Sequence, residues 1–418
     1  MAFLGATGRR YVCIQHLHEH YALDIVRIGP NGLSIRDPTA MLAILGMKGM
    51  LLKAEPLTMI AIQDTDEHVQ RRRPYHADSR RGALKDYEVM VSRRARMLVD
   101  RLGETKGADV CLDEWFDRFS CDYMSDLAFG GGSELLSGTD KNNFLPALTA
   151  ATTSAVFLSH VPWLGVYTLH VNCSALTKQR VHRGAATHDL FHHLQLIEDA
   201  VLTMVAGSDT VASTLTSLFA CLVAHPAVHA RLSRDTDGTV TRAHRDMAYL
   251  GALINETLRL FPPVPSGTQR QMAPWGPWIH CGRQMRPRAA LTMIIIRYIP
   301  PGSALWVHVW SMHRDARSFS DPTRFWPERW LPVDAHDSKP TRGFAHDEAA
   351  FNPFSYGPLN CVGKALGLQE IWTVVCAVLQ RFEGACLDHF VSVRGKVRVV
   401  LEAHRVVRNC DGGAEFAS

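Results

Sequence analysis

One cysteine of this chain lies in a loop whose composition can present its sulfur in a fixed direction. Cys361 stands in the segment FNPFSYGPLNCVGK, near Phe354, Gly357, Pro358 and Gly363. Glycine lets the backbone turn tightly or approach a flat ligand, and proline fixes one dihedral angle. A helix-forming segment follows, and its dipole together with loop amides would favour a thiolate. These features suit a soft metal ion.

Three other roles stay open for Cys361 on the loop alone. It could be a buried structural cysteine, a zinc ligand or a protease-type nucleophile. A zinc site normally requires paired Cys or His residues at short spacing. Neither Cys376 nor Cys386 supplies such a partner, so the loop favours a metal thiolate of another kind.

A second constellation pairs a carboxylate with a guanidinium in the segment LINETLRLFPP. Glu256 and Arg259 are three residues apart, so a helix places them on one face. An exposed pair of this kind contributes little to stability. The surrounding apolar residues cover most of the helix and favour a buried pair, which needs further partners. Arg329, in the segment FWPERWL, can complete such a network.

The segment MVAGSDTVASTL (204–215) places small and polar residues within an apolar helix pattern. Gly207 disfavours a helix by roughly 1 kcal/mol relative to alanine, and Thr210 can bond to a backbone carbonyl. One interpretation is close packing of two helices. The other is a local widening of the helix that holds a small ligand or water beside Asp209 and Thr210.

Two pairs of residues have the spacing of one helical turn. His68 and Arg72, in EHVQRRRPY, can both point at one anionic group. His16 and His20 share this spacing, but two ligands without a third do not make a metal site.

The elements that must position these residues are mainly helices. From about 37 to 260 the apolar residues recur mostly every three or four positions, which predicts helices, and a final helix is expected at about 361–382. A β-rich part is expected at about 22–36, where a Pro-Asn-Gly turn separates two alternating segments, and at about 264–310.

The bulk composition excludes several classes of protein. The chain has 418 residues, and Lys and Arg exceed Asp and Glu by 45 to 41, which is too small and scattered a difference for nucleic acid binding. Its ten cysteines show no paired spacing and are expected to be reduced thiols facing the cytosol. No signal peptide is visible. The apolar stretches at 215–224 and 291–299 look too short or too polar to cross a bilayer.

Together these segments resemble one family. The cysteine loop, the Glu-x-x-Arg pair, the Trp-Pro-Glu-Arg segment and the Ala-Gly-Ser-Asp-Thr segment occur in the order of a cytochrome P-450, a haem-thiolate monooxygenase. The resemblance extends from Tyr11 to about Val400 and is greatest to the fungal branch. It implies a single haem domain over residues 1–418, with a mainly α fold, a long central helix and a small β portion.

The resemblance also implies roles for individual residues. Cys361 would be the axial ligand of haem b (iron protoporphyrin IX), whose thiolate favours O–O cleavage. Asp209 and Thr210 would relay protons during oxygen activation. Glu256, Arg259 and Arg329 would form a structural triad that fixes the cysteine loop. The other cofactor-binding positions expected are His68, Arg72, Ala206, Arg270, Phe354 and Gly363.

The chain departs from the family pattern at two places. Leu359 stands where the family usually has Arg or His, so haem would rely on Arg72 and Arg270 and be retained less strongly. The N-terminal anchor helix and its proline-rich hinge are not found. We therefore expect either a truncated N-terminus or a soluble member, with membrane association only if an anchor is missing from this sequence.

The expected activity is insertion of one atom of dioxygen into an apolar small molecule of secondary metabolism. Electrons would come from NADPH through NADPH-cytochrome P-450 reductase, at the cytosolic face of the endoplasmic reticulum. A haem-thiolate isomerase or dehydratase would not need Asp209 and Thr210, and Leu359 favours a non-catalytic remnant that binds haem weakly. Substrate contacts are expected at 53–62, 158–167 and 264–268.

Overall fold

Helices dominate the fold, as predicted. The structure is a computed structural model that describes residues 9–46, 68–70, 72–73, 81–105, 109–138, 140, 197–236, 248–272, 279–281, 295–297, 299–332, 344–386 and 398–403. Its helices are α1 (Arg10–His20), α2 (Pro38–Gly46), α3 (Arg81–Glu104), α4 (Leu112–Phe129), α5 (Ile197–Ala224), α6 (Pro226–Thr236), α7 (Ala248–Leu260), α8 (Val309–His313) and α9 (Lys364–Arg381). Residues 68–70 and 72–73 are also helical.

The described strands form three small sheets. They are β1 (Ile25–Arg27), β2 (Gly32–Ile35), β3 (Asp109–Cys111), β4 (Gln269–Gln271), β5 (Ile279–Cys281), β6 (Ile295–Arg297), β7 (Ala304–Val307), β8 (Phe382–Cys386) and β9 (Arg398–Ala403). The largest sheet has the order β1-β2-β7-β4, and the others are β3-β9-β8 and β5-β6. The predicted hairpin is confirmed, since Ile25 of β1 lies opposite Ile35 of β2 in an antiparallel pair. Arg270 lies on the edge strand β4, opposite Leu305 of β7.

The main core forms where α4 packs against α5, together with α3, α7 and α9. Gly207 makes the contact between α4 and α5 possible, because a Cβ at this position would lie 2.4 Å from Cε of Met124. The helix-packing interpretation of Gly207 is therefore correct. The structure also shows α5 as an uninterrupted helix through 206–210, in contrast to the alternative of a local widening.

Part of α5 is apolar enough to cross a membrane by length and composition alone. This stretch, Thr203–Ala224, begins well before the segment 215–224 that the sequence analysis judged too short. Half of it is buried inside the fold. Since α5 packs on α4 in the main core, its apolar character is that of a core helix.

One helix boundary differs from the sequence-based expectation, and two strands were not expected. The last helix begins at Lys364 rather than at Cys361, because Cys361 still belongs to the loop and Gly363 is the N-cap residue. Strands β8 and β9 were missed. They pair with each other and, through β9, with β3 far away in sequence, so nothing in the local sequence pattern reports their pairing.

Candidate active site

The cysteine loop is held by backbone hydrogen bonds that fix the direction of Cys361. The N–H of Cys361 donates to the carbonyl of Phe354 at 2.9 Å, and the N–H of Asn360 donates to the carbonyl of Gly357 at 3.1 Å. Gly357 has a φ of +76°, and a Cβ there would lie 2.2 Å from the carbonyl oxygen of Leu45 in α2. The loop therefore requires glycine at 357, both for its backbone conformation and for its contact with α2.

Cys361 is an exposed residue, unlike Cys121, Cys221 and Cys376, which are buried. Desolvation by the surrounding protein raises the pKa of Cys361. A hydrogen bond from the N–H of Gly363 and the positive charges of Arg72 and Lys364 act in the opposite direction. Helix α9 begins directly behind the sulfur, so its N-terminal dipole adds to these contributions. A sulfur that faces N–H groups and cations is suited to bind a metal as a thiolate.

Three basic side chains come together on the same side of the fold. His68, Arg72 and Arg270 are all buried. Burial lowers the pKa of His68, and the positive charges of Arg72 and Arg270 lower it further, which places the three groups near one another. Burial also lowers the pKa of Arg270 to about 10. Such a cluster is costly unless an anion joins it.

Arg270 is the clearest sign that this anion is external. Its Nη1 donates to Thr268 Oγ1 at 2.8 Å and to the carbonyl of Gln269 at 3.1 Å. Its Nε and Nη2 are buried and have no hydrogen-bond partner in the part of the chain that the structure describes. A buried guanidinium with two unused donors matches a carboxylate ligand in both charge and geometry.

The predicted triad is fully assembled and buried. Arg259 donates to both carboxylate oxygens of Glu256, each at 2.9 Å, and Arg329 Nε donates to Glu256 Oε1 at 3.2 Å. The backbone N–H of Trp326 and Nε1 of Trp330 also donate to this carboxylate, each at 2.9 Å. Burial alone would raise the pKa of Glu256, but Arg259 and Arg329 more than offset this and hold it below its usual value.

His313, which the sequence analysis missed, links the triad to the cysteine loop. Its Nε2 accepts from the N–H of Asn352 at 3.1 Å, and its Nδ1 lies 3.1 Å from the carbonyl of Arg259. These partners require a neutral ring protonated at Nδ1. Burial and the charge of Arg259 lower the pKa of His313 to about 3. No spacing signal could reveal it, since its partners are 39 and 54 residues away in sequence.

One face of α5 carries the remaining candidates, Ala206, Asp209 and Thr210. Ala206 and Asp209 are exposed, whereas residues on the side of α5 that packs against α4 are buried. Thr210 Oγ1 donates to the carbonyl of Ala206 at 2.8 Å. The hydroxyl thus uses its single donor inside the helix and keeps its lone pairs as acceptors. Desolvation by the surrounding protein raises the pKa of Asp209 above the usual value of an aspartate.

The chemistry of these residues fits haem. A soft sulfur donor in a glycine-rich loop suits iron, and the propionate carboxylates of haem match the basic cluster with its unused Arg270 donors. Among the described residues there is no group of three His, Cys, Asp or Glu side chains that could hold a metal ion by themselves. Of the expected substrate segments, 264–268 is described and includes the exposed Val264. The segments 53–62 and 158–167 lie outside the described residues.

A family model named Cytochrome P450 matches residues 171–274 and 284–391. The chain belongs to the cytochrome P450 family. It is 31% identical over 407 residues to the cytochrome P450 monooxygenase orf5 of Eupenicillium brefeldianum, covering 88% of this chain and 78% of that protein. It is 30% identical to the cytochrome P450 monooxygenase FCK2 of Fusarium pseudograminearum, covering 90% and 71% of the two chains.

Another similar protein is the tryprostatin B 6-hydroxylase of Aspergillus fumigatus. It is 28% identical to this chain over 431 residues, which are 92% of this chain and 72% of the hydroxylase. The family and its fungal type are thus as the sequence analysis predicted. This P450 is an oxidoreductase of the monooxygenase class, with the P450 fold, a haem cofactor and electrons from a redox partner.

Proposed function

We propose that this P450 hydroxylates an apolar small molecule of fungal secondary metabolism, with Cys361 as the thiolate that would hold the haem iron. The observation that carries the proposal is that Arg72, whose charge acts on Cys361, belongs to a buried basic cluster in which Nε and Nη2 of Arg270 have no partner among the described residues. A remnant that no longer bound haem would gain nothing from burying these cations. The intact Asp209 and Thr210 pair argues against an isomerase or dehydratase.

The chain's own residues bind and orient the cofactor. Cys361 supplies the ligand, Gly363 directs its N–H at the sulfur, and Phe354 packs within the loop, with Lys364 Nζ 5.6 Å from the ring centroid. Arg270 and Arg72, together with His68, bind the propionates. When bound, haem supplies the activation of dioxygen and the transfer of one oxygen atom to the substrate.

Thr210 and Asp209 hold and move the protons that this chemistry consumes. Because the Thr210 hydroxyl donates to the carbonyl of Ala206, its lone pairs accept from a water or a protonated oxygen on the exposed face of α5. Asp209 lies one position earlier on this face of α5, where its carboxyl group can pass protons from the solvent side to a water beside Thr210. Ala206, exposed and small, leaves room on this face for the ring of the cofactor.

The relatives and the resemblance to fungal P450s support a proposal for the substrate class and the redox partner. The name of the tryprostatin B hydroxylase describes addition of a hydroxyl group to a small molecule, and we propose a reaction of the same type here. NADPH would be the electron source, through NADPH-cytochrome P-450 reductase. The protein would act at the cytosolic face of the endoplasmic reticulum, as is typical of fungal members of the family.

The proposal is tested by measuring how much peroxide and how much product the Thr210→Ala variant forms from the electrons it receives. In a system reconstituted with the reductase, the variant is expected to bind substrate normally but to release peroxide instead of product, because proton delivery of this kind contributes about 10²- to 10⁴-fold. Thr214→Ala is the matched control, since Thr214 Oγ1 also donates to a carbonyl one turn earlier, at 2.7 Å, but is buried. An unchanged ratio of peroxide to product in Thr210→Ala would contradict the proposal. Turnover without NADPH consumption would favour an isomerase.

A further inference from the structure

Arg72 is tied to the residue that directly precedes the cysteine. Its Nη2 donates to the backbone carbonyl of Asn360 at 2.7 Å and to the side-chain oxygen Oδ1 of Asn360 at 2.8 Å. The two residues are 288 positions apart in sequence. Asn360 therefore offers a pair of acceptors that matches the two N–H groups of one guanidinium nitrogen.

This pair of acceptors is set in place by the loop itself. The N–H of Asn360 donates to the carbonyl of Gly357, which lies so close to α2 that a Cβ at this position would be 2.2 Å from the carbonyl oxygen of Leu45. The next N–H, that of Cys361, donates to Phe354. Arg72 is therefore held by two acceptors of the loop, the backbone carbonyl of Asn360 and the side-chain oxygen of the same residue.

The anchor places the charge of Arg72 where it acts on the sulfur. Burial lowers the pKa of Arg72, while the negative charge of Cys361 acts in the opposite direction. The attraction is mutual, because Arg72 favours the thiolate of Cys361. Leu359, on the other side of Asn360, has no polar group and cannot contribute a donor of its own.

We propose that Asn360 is a positioning residue that holds Arg72 beside Cys361 and so determines haem retention and reduction potential. The inference rests on the haem-thiolate site of the proposed function. Asn360 makes up, through Arg72, for the donor that Leu359 does not provide. A positive charge held close to the haem favours the state that has gained an electron, so the reduction potential reports the position of Arg72.

The test compares holoprotein with and without the Asn360 side-chain oxygen. Asn360→Ala removes one of the two acceptors and leaves the backbone carbonyl. We expect haem transfer to a globin acceptor to become roughly three- to tenfold faster, less than for the loss of a whole charge-assisted hydrogen bond, because the backbone carbonyl of Asn360 still holds Arg72. We also expect a more negative reduction potential at constant pH. Tyr356→Phe, an exposed change in the same loop, is the control and should match the wild-type protein in both measurements.

A double mutant separates positioning from a general effect on the loop. If Asn360 acts through Arg72, Asn360→Ala should change neither measurement further in an Arg72→Gln background. Equal effects in both backgrounds would overturn the inference. So would wild-type haem transfer and potential in Asn360→Ala, which decides the question even if the double variant does not fold. A wild-type protein without a thiolate spectrum would instead overturn the proposed function, and this inference with it.

Discussion

Two groups of buried arginines in this protein differ in how their charges are compensated. Arg259 and Arg329 share the carboxylate of Glu256, and their other N–H groups donate to backbone carbonyls of 313, 320, 321, 322 and 324. Arg270, by contrast, lies with Arg72 and His68 and keeps two buried donors without partners among the described residues. Both groups are almost fully buried.

The difference separates scaffold from binding site. Burying a charge is costly, and the chain can offset this cost itself or leave it to a ligand. In the triad, groups of the chain itself offset the cost of burying the charges. The triad therefore stabilises the loop whether or not a ligand is present. Arg270 is left to an external anion, so it should favour the loaded protein and disfavour the empty one. Substitutions should therefore have opposite consequences in the two groups.

Breaking the triad should have the largest effect. Glu256→Gln removes the only carboxylate hydrogen-bonded to both Arg259 and Arg329 among the described contacts. We expect a loss of about 3–5 kcal/mol in the free energy of unfolding, because two guanidiniums remain buried without compensation. Urea unfolding of the purified protein measures it. Glu104→Gln, which breaks an exposed pair with Arg101, should change the free energy by less than about 0.5 kcal/mol.

Removing a cation from the Arg270 group should weaken ligand binding and leave the empty protein intact. Arg270→Gln is expected to cost about 1.5–3 kcal/mol of haem binding, the value of a hydrogen bond to a charged group. The unfolding free energy of the haem-free protein should stay the same or rise, because a buried charge is lost. Arg270→Lys keeps the charge but not the forked donors of the guanidinium. Its rate of haem loss should therefore lie between those of the wild-type protein and of Arg270→Gln. Lower stability of the haem-free Arg270→Gln protein would contradict the comparison.

Adding a cation beside the same group should act in the opposite direction. Leu359→Arg would restore a donor next to the haem edge in a half-buried loop position. We expect haem binding to tighten by roughly 1.5 kcal/mol, the lower end for a charge-assisted bond. The rate of haem transfer to a globin acceptor measures this effect. Equal rates in the wild-type and Leu359→Arg proteins would show that Leu359 does not weaken haem binding.

The free energy of unfolding should also depend on pH through His313, which links the triad to the cysteine loop. Its folded pKa of about 3 is below that of the unfolded chain, so the unfolded chain takes up the proton first. The contribution of neutral His313 to the free energy of unfolding is fully present above about pH 6.5. It is lost as the pH falls towards 3, at about 1.4 kcal/mol per pH unit. His313→Gln should unfold with a shallower dependence on pH in this window. His18 and His308 contribute equally in both proteins, so the difference in slope isolates His313.

Sequence reasoning found the residues that carry local signals. Cys361, the Glu256–Arg259 pair and Gly207 are recognisable because glycine, proline and spacing of three or four residues constrain the backbone nearby. It missed His313 and the Asn360–Arg72 contact, because both join segments that are distant in sequence. The pairing of β3 with β9 was missed for the same reason. Of the two interpretations of the segment 204–215, close helix packing agrees with the structure, because α5 is helical throughout 206–210 and Gly207 lies against Met124.

The spectrum of the reduced, carbon monoxide-bound protein tests the central claim, that Cys361 binds haem iron as a thiolate. The wild-type protein should show the red-shifted Soret band of a thiolate complex, and Cys361→Ala should lose it. Cys376→Ala, a buried thiol in α9, should leave the band in place. A Cys361→Ala protein that retains the wild-type Soret position would contradict the account.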